Sequence, residues 1–491
     1  MPYRWLILLI VSIALFLVVI DMTVLYTALP TLAQALNTSA AEKLWILNAY
    51  SLVMAACMPV FGALGDRYGQ RRIFVVGLLA FGTASLMAAF ASHAWLLIGA
   101  RALLGIGGAA VIPSTIAMVR LTFTDPKEQA LAIGVWASIA SGGAAVGPVL
   151  GGFLLEHFWW GSVFLINVPI VLAALLATFC YVPRYAGQGH APIDLLSAAQ
   201  VMLGMLCVVY GIKELAHSAP HYAYASGALL IGSIALGLFV RRQLQLDYPL
   251  VDLTILRIPP IAHGMLVALV VATTLVGFEL ALTQRLQLVL DKSPLQAGLY
   301  ILPLSLGAFC AGPLAGLLIG RIGAYGVLFA ALALTVISIA GYALWQDSLP
   351  YQHLLSLGLC GIGIGAALTA SSSLVMSHVP AERAAMAGSV EGMSYEVGGA
   401  LGVTLFGSLI SAIYLQQLRG TDLAHAAGES LDQAHANALL PDSPALLLAT
   451  AKQAFATGFS LTCAVVAAAL ALLLITLYLR QRLTRTRPCG K

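Results

Sequence analysis

Charge is scarce in this chain. Asp, Glu, Lys and Arg make up 9% of its 491 residues, against about 25% in an ordinary soluble domain. So few charges would not keep a globule of this size in water, which excludes a soluble enzyme or binding module. The sequence has no G-x-x-x-x-G-K-[ST] loop and no polar block large enough for a nucleotide domain, which excludes an ATP-driven machine. Its seven cysteines (57, 180, 207, 310, 360, 463 and 489) form no C-x-x-C and no metal-ligand spacing. All but Cys489 fall in apolar segments and read as small core residues rather than disulfides. No nucleophile–base pair or metal cluster suggests a membrane-bound enzyme or sensor. His263, His353 and His378 fall near helix ends and are expected to be solvated. No convincing cleavage site follows Arg4, and the first apolar run is long enough, at about 20 residues for a crossing, to be a retained helix.

Apolar residues fill the space that charge leaves: 60% of the chain is hydrophobic and mean hydropathy is +0.94. A window of about 19 residues predicts fourteen spans. They lie near 5–29, 44–64, 73–92, 95–119, 132–154, 163–182, 195–213, 224–240, 262–284, 298–319, 326–345, 353–376, 386–411 and 456–479. With both termini inside, 17 of the 24 Lys and Arg fall on the inner side and 6 on the outer side or outer helix ends, with Arg101 inside a span. That excess predicts both termini in the cytoplasm. It also explains the net charge of +4 by topology and removes the case for a nucleic-acid partner. All seven Trp lie near predicted helix ends, where an interfacial belt would sit.

An internal repeat divides the chain. GALGDRYG (62–69) and GLLIGRIG (316–323) share G-x-x-x-x-R-x-G, each closing a span at the inner face. LLGIGGAA (103–110) is echoed by CGIGIGAA (360–367). The expected fold is all-α and polytopic: a six-helix half over 1–185, two intervening helices over 191–257, and a second six-helix half over 258–491. The polar stretch 412–455 lies outside, either as short amphipathic helices over the outer mouth or as a linker. The basic C-terminal tail is a lipid headgroup anchor.

Acids inside the spans are the chemistry-bearing residues. An Asp near the middle of a membrane helix costs roughly 2.5–3.5 kcal/mol on insertion scales, so such groups are functional by default. Asp21, in VVIDMTVLYTALP, and Arg101 fall at depths that agree within roughly 3 Å at 1.5 Å per residue. If their helices face a shared cavity, each lowers the other's burial cost; Asp21 is then expected to bind a proton and sense a cationic drug in alternation, with Arg101 tuning it, the alternative being an ion pair that only fixes helix packing. Glu391 and Glu396, in SVEGMSYEVGG, are about 140° apart around a helix. One is therefore expected to meet the cavity and the other a neighbouring helix, or both to edge a broad cavity. Glu396, beside Tyr395, is the preferred cavity residue. Glu279 lies near an outer helix end, as a gate or as a group reaching water; Arg285 beyond it reads as an interfacial anchor. Tyr26 and Tyr395 offer cation–π surface to a flat cation.

Glycine marks two further places. Gly65 and Gly69 allow a tight turn at the membrane surface, beside Gly62, Asp66, Arg67, Arg71 and Arg72. In GAAVGPVLGG, Gly143, Gly147 and Gly151 recur every fourth residue on one helical face, so a neighbour can approach closely, as static packing, as a sliding face for rocking halves, or as both. Pro148 bends that helix, and Gly152 adjoins the stripe.

These motifs together resemble the major facilitator superfamily. GALGDRYGQRR (62–72) is similar to its cytoplasmic loop signature, RALLGIGGAA (101–110) to its fourth-helix motif, and GAAVGPVLGG (143–152) to the fifth-helix motif of antiporters. DMTVLYTALP (21–30) and FLINVP (164–169) resemble signatures of the fourteen-helix drug:proton antiporter branch, within which the chain looks most like methyl viologen and quaternary ammonium resistance pumps. Gln70, Leu104, Tyr26 and Gly161–Ser162 depart from the usual pattern. The resemblance implies a proton-coupled exporter of lipophilic cations in the cell inner membrane, with no cofactor beyond the proton gradient, membrane lipid as surroundings, and a monomer as the working unit. It implies a conformational latch in the 62–72 loop and a proton or cation role for the Glu391–Glu396 region. An exporter or importer of a metabolite on the same scaffold is the alternative.

Overall fold

In the computed structural model the described residues are 3–123, 125–184, 194–215, 221–246, 249, 253–344, 350–379, 384–419, 430–438 and 446–486. All regular structure among them is helical, as hydrocarbon demands: an unpartnered backbone N–H or C=O there costs several kcal/mol. The first half comprises α1 (Arg4–Ala35), α2 (Ala40–Tyr68), α3 (Gln70–Ala89), α4 (Ala94–Thr122), α5 (Pro126–His157) and a sixth crossing made of α6 (Ser162–Leu165) and α7 (Asn167–Tyr181). Next come α8 (Leu195–Leu215) and α9 (Tyr222–Gln243). The remainder holds α10 (Pro259–Gln284), α11 (Pro294–Leu344), α12 (Pro350–Ser377), α13 (Ala384–Leu418), a short α14 (Leu431–Ala438) and α15 (Leu447–Thr486). A π-helical turn, Arg285–Val289, extends α10.

Among the described residues eleven helices are long and apolar enough to cross a membrane. One of them, α11, is two crossings bent at Gly323, and with α5 and α8 the expected fourteen spans are all present. The repeat is visible in the backbone. Gly69, the single residue between α2 and α3, has φ 96°, and Gly323 has φ 77°. Both close a copy of G-x-x-x-x-R-x-G and adopt a conformation that side chains disfavour.

Three apolar clusters hold the bundle. One is built on α1–α7 and reaches Val276 and Leu280 of α10 and Val403 of α13, and a second lies within α10–α15. The third joins Val201, Met205 and Val209 of α8 and Phe239 of α9 to Leu52, Ala55 and Ala56 of α2 and Val390 and Ala400 of α13. The ends of α8 and α9 at the face bearing both chain termini are clasped by Arg242, which donates to Asp194 at 2.8 and 3.1 Å. These bonds, with two from Ser197, hold the Asp194 carboxyl down at about 2.

Several expectations need correction. Cys180 and Cys310 lie on the exposed surface of the bundle rather than in its core. Trp136 is partly buried rather than free on the surface, and its Nε1 donates to Thr115 Oγ1 of α4 at 3.0 Å. His263 and His353 are buried rather than solvated; His263 bonds the Tyr325 hydroxyl at 2.9 Å, and the His353 ring is tilted against that of Tyr342, centroids 5.1 Å apart. Trp345, Cys489 and much of 412–455 lie outside the described residues.

Candidate functional site

α1 and α2 of the first half face α10 and α13 of the second, and some of the intramembrane charges lie along this cleft while others stay inside one half. Asp21 and Arg101 meet: an Arg101 guanidinium nitrogen donates to Asp21 Oδ2 at 2.6 Å, with both side chains at most 2% exposed. Asn167 of α7 donates to the other carboxylate oxygen at 2.8 Å and lies 3.2 Å from Ser85 Oγ of α3. Arg101 also donates to the Ile46 carbonyl at 3.3 Å and covers the Tyr50 ring at 4.3 Å. Five helices thus supply one closed network. Sequence reasoning quoted Asn167 only as part of FLINVP and missed its role; a buried amide inside an apolar helix was the available signal.

A second cluster lies between the halves. Glu279 of α10 is 5% exposed, not a group at the water surface, and Glu396 of α13 is hydrogen-bonded to Ser51 of α2. Glu279 Oε1 and Glu396 Oε2 are buried with no hydrogen-bond partner. Tyr26 of α1 is buried within electrostatic range of both glutamates and of Arg101. Tyr50 feels Asp21, Arg101, Tyr26 and Glu396. The two tyrosines connect the closed network to the acid pair.

Glu391 and Tyr395 belong elsewhere. The Tyr395 hydroxyl donates to Glu391 at 2.7 Å, and Ser372 of α12 donates to its other oxygen at 3.2 Å. The two α13 acids therefore divide as their angular separation allows, Glu396 to α2 and Glu391 to α12. Tyr395 binds an acid within its own half. Arg285 is no interfacial anchor: it is 5% exposed, with its guanidinium 5.2 Å from the Phe459 ring and 5.8 Å from that of Tyr342. The π turn carrying it directs the side chain into the second half, where the rings substitute for water.

The glycine stripe meets α1. A Cβ on Gly143 would approach Phe16 and Val19, one on Gly147 would strike Thr23, and one on Gly151 would meet Val24. This face therefore packs inside the first half. The seam between halves is made on the adjoining face, one residue along: a Cβ on Gly152 would collide with Leu295 and Pro294 of α11, and one on Gly298 with the Pro148 carbonyl. At the same end of the molecule, away from the termini, Asn48 bonds Thr404 at 2.7 Å and Gln287 bonds the Thr27 carbonyl at 2.9 Å. Ser293 bonds Glu156 there as well. Leu431 of α14 is buried over this end and lines a small cavity with Leu29, Leu44 and Leu280.

In the 62–72 loop, Gly69 makes the turn and its amide donates to the Gly65 carbonyl at 2.9 Å. A Cβ on Gly65 would strike Gln70, whereas Gly62 has open space around it. Arg71 donates to the Phe179 carbonyl at 3.2 Å, Arg67 lies over Tyr68, and Arg72 is exposed. The Asp66 side chain lies outside the described residues.

Comparison with known proteins matches this architecture. The family model of the Major Facilitator Superfamily covers residues 11–412. The chain is 42% identical over 462 residues to the methyl viologen resistance protein SmvA of Salmonella typhimurium, covering 92% of this chain and 93% of that protein. It is 36% identical over 476 residues to the multidrug efflux pump LfrA of Mycolicibacterium smegmatis, covering 95% and 94%. Among solved structures, a bacterial homologue of the human lysosomal transporter Spinster, in an inward-facing and unoccupied conformation, superposes with a TM-score of 0.70 at 17% identity, covering 100% of this chain and 99% of that one. Family model, relatives and fold agree: this chain is a multi-pass membrane protein that belongs to the Major Facilitator Superfamily.

Proposed function

We propose that this protein is a proton-driven exporter of lipophilic cations, among them quaternary ammonium compounds, methyl viologen and cationic dyes. The observation that carries the reading is the pair Glu279 and Glu396, buried between the two halves, each with an unpartnered oxygen. A carboxylate in that position is stabilised by a proton or by a bound cation, and the two compete for it. Tyr26 supplies an aromatic surface beside the pair, worth about 0.5–2 kcal/mol to a cation over its face. Similarity to the methyl viologen resistance protein SmvA and to the multidrug efflux pump LfrA supports this reading.

In the proposed cycle the two six-helix halves rock about the cleft, with α8 and α9 as an added pair. The ties near Asn48–Thr404, Gln287–Thr27 and Gly298–Pro148 close the end away from the termini. This is the inward-facing state if both termini are cytoplasmic, as the Lys and Arg distribution indicates. A cation enters from the cytoplasm or inner leaflet and displaces the protons on the acid pair. After the halves rock, protons from outside displace the cation. Asp21, already bonded to Arg101 and Asn167, is assigned to support: with Arg101 it fixes five helices and sets the field at Tyr26 and Tyr50. Gly69 and the arginines beside it form the latch at the terminal face. The protein works as a monomer in the inner membrane, with the proton gradient as its only energy source.

The test is ethidium efflux in inverted vesicles under an imposed pH gradient, with and without a protonophore. Glu279→Gln/Glu396→Gln is expected to abolish gradient-driven movement while leaving insertion and folding intact. Efflux at the wild-type rate by that variant would overturn the assignment, and transport that ignores the pH gradient would overturn the coupling. Equal cellular accumulation of ethidium with and without the protein would favour a metabolite carrier.

A further inference from the structure

Helix packing accounts for two glycines of α13 and leaves two others unexplained. Gly398 and Gly402 face α10, where a Cβ on the first would lie 2.5 Å from the Leu269 carbonyl oxygen and one on the second would strike the Thr273 carbonyl. Only glycine fits there. Gly392 and Gly399 reach α2 and α1 of the first half instead. A Cβ on Gly392 would lie 3.4 Å from Met58 Sδ of α2. One on Gly399 would lie 3.6 Å from Met22 Cε of α1 and 3.5 Å from Val276 Cγ2 of α10. These are ordinary van der Waals distances, so alanine would fit at both positions and would make a more stable helix. Gly392, Glu396 and Gly399 fall within about 60° of one another around α13. The two glycines therefore bracket the carboxylate whose Oε2 is buried without a partner. Met58 stands two turns after Ser51, the partner of Glu396, on one face of α2. Met22 stands one turn before Tyr26, which lies within electrostatic range of Glu396.

We infer that the bare α13 backbone at Gly392 and Gly399, with the tips of Met22 and Met58 opposite, forms a slot for the flat ring of an aromatic cation whose charge rests at Glu396. The inference rests on the reading of the chain as a cation exporter, and it makes these four residues specificity-determining for planar substrates. Each methionine turns about three side-chain bonds, so it can withdraw from the glycine it covers and lay its polarisable sulfur along the ring edge. The missing Cβ atoms let a ring lie against the backbone within reach of the carboxylate. A cation without a ring, such as dodecyltrimethylammonium, is drawn to Glu396 by charge and has nothing to insert. The slot therefore selects by shape, on top of the selection by charge that the acids supply.

The experiment uses proteoliposomes of the full chain that transport ethidium under an imposed pH gradient. It reads the KM for ethidium and the inhibition constants of methyl viologen, which is planar, and of dodecyltrimethylammonium, which has no ring. Met22→Ile and Met58→Ile keep the side-chain volume but stiffen it at χ1. Losing one sulfur–ring contact is expected to raise the ethidium KM about threefold, and losing both in Met22→Ile/Met58→Ile about tenfold. Gly399→Ala places a methyl group in the slot and is expected to raise it about tenfold. The methyl viologen constant is expected to rise with the ethidium KM, and that of dodecyltrimethylammonium to stay at the wild-type value. An unchanged ethidium KM in either Met22→Ile/Met58→Ile or Gly399→Ala overturns the slot. An equal rise for all three cations overturns it too, because it marks a disturbed Glu396 rather than a lost ring site. Should one of the two variants fail to fold, the other decides. Absence of ethidium transport by the wild-type protein strikes the exporter reading instead.

Discussion

Asp21→Asn removes one charge from the most enclosed ion pair in the molecule. Arg101 keeps the Ile46 carbonyl at 3.3 Å and the Tyr50 ring at 4.3 Å, but neither neutralises a guanidinium that is 2% exposed. At an effective dielectric of 20 and a charge separation of about 4 Å, the lost attraction is about 4 kcal/mol. Breaking a buried pair costs a similar 3–5 kcal/mol, because the remaining charge is left uncompensated. Arg101→Met is expected to cost about as much, by stranding Asp21 with Asn167 as its remaining donor. The double variant Asp21→Asn/Arg101→Met strands neither charge, so most of the loss is recovered. A double-mutant cycle read by unfolding in mixed detergent–SDS micelles is therefore expected to give a coupling of several kcal/mol. Export is expected to return with stability in the double variant, because Glu279 and Glu396 are untouched. Single variants within about 0.5 kcal/mol of the wild type, or additive effects, would refute the closed network. A double variant that is stable but inert would move Asp21 from support to proton exchange.

The other predictions are narrower. Gly298→Ala places a Cβ against the Pro148 carbonyl carbon, at 2.7 Å before relaxation. Overpacking of about 1–3 kcal/mol would shift the balance toward the state open at that end by about 5–150-fold, read as faster labelling of a cysteine placed at Gln287. In Asp194→Asn the clasp on α8 and α9 loses its charge. Hydrogen bonds from Arg242 and Ser197 hold that carboxyl at about 2, below its usual range. Its stabilisation is therefore fully present above the usual carboxylate value, about 4, and is lost as pH falls toward 2. The variant is expected to melt below the wild type at pH 7, with the gap shrinking at pH 3. Gly147→Leu, driven into Thr23, is expected to prevent α5 from seating on α1 and to lower folded yield sharply in size-exclusion chromatography.

The sequence by itself determined the spans, the repeat and the matching depths of Asp21 and Arg101. These follow from local quantities, hydropathy over a window and rise per residue, that hydrocarbon enforces with little tertiary help. It also separated Glu391 from Glu396 by angle, though not which neighbour each would meet. Only the tertiary structure decided that Asn167 completes the Asp21 network, that Glu279 is buried with Glu396 in the cleft, that Arg285 turns into an aromatic nest, and that the glycine stripe seats α1 rather than the opposing half. The reason is physical. Lipid is as apolar as the protein core, so a membrane helix carries little amphipathic signal to say which side faces lipid, a neighbour or the cleft. Helix rotation is set by shape, by small residues and by a few polar contacts between segments far apart in the chain, and those exist only once the bundle has packed.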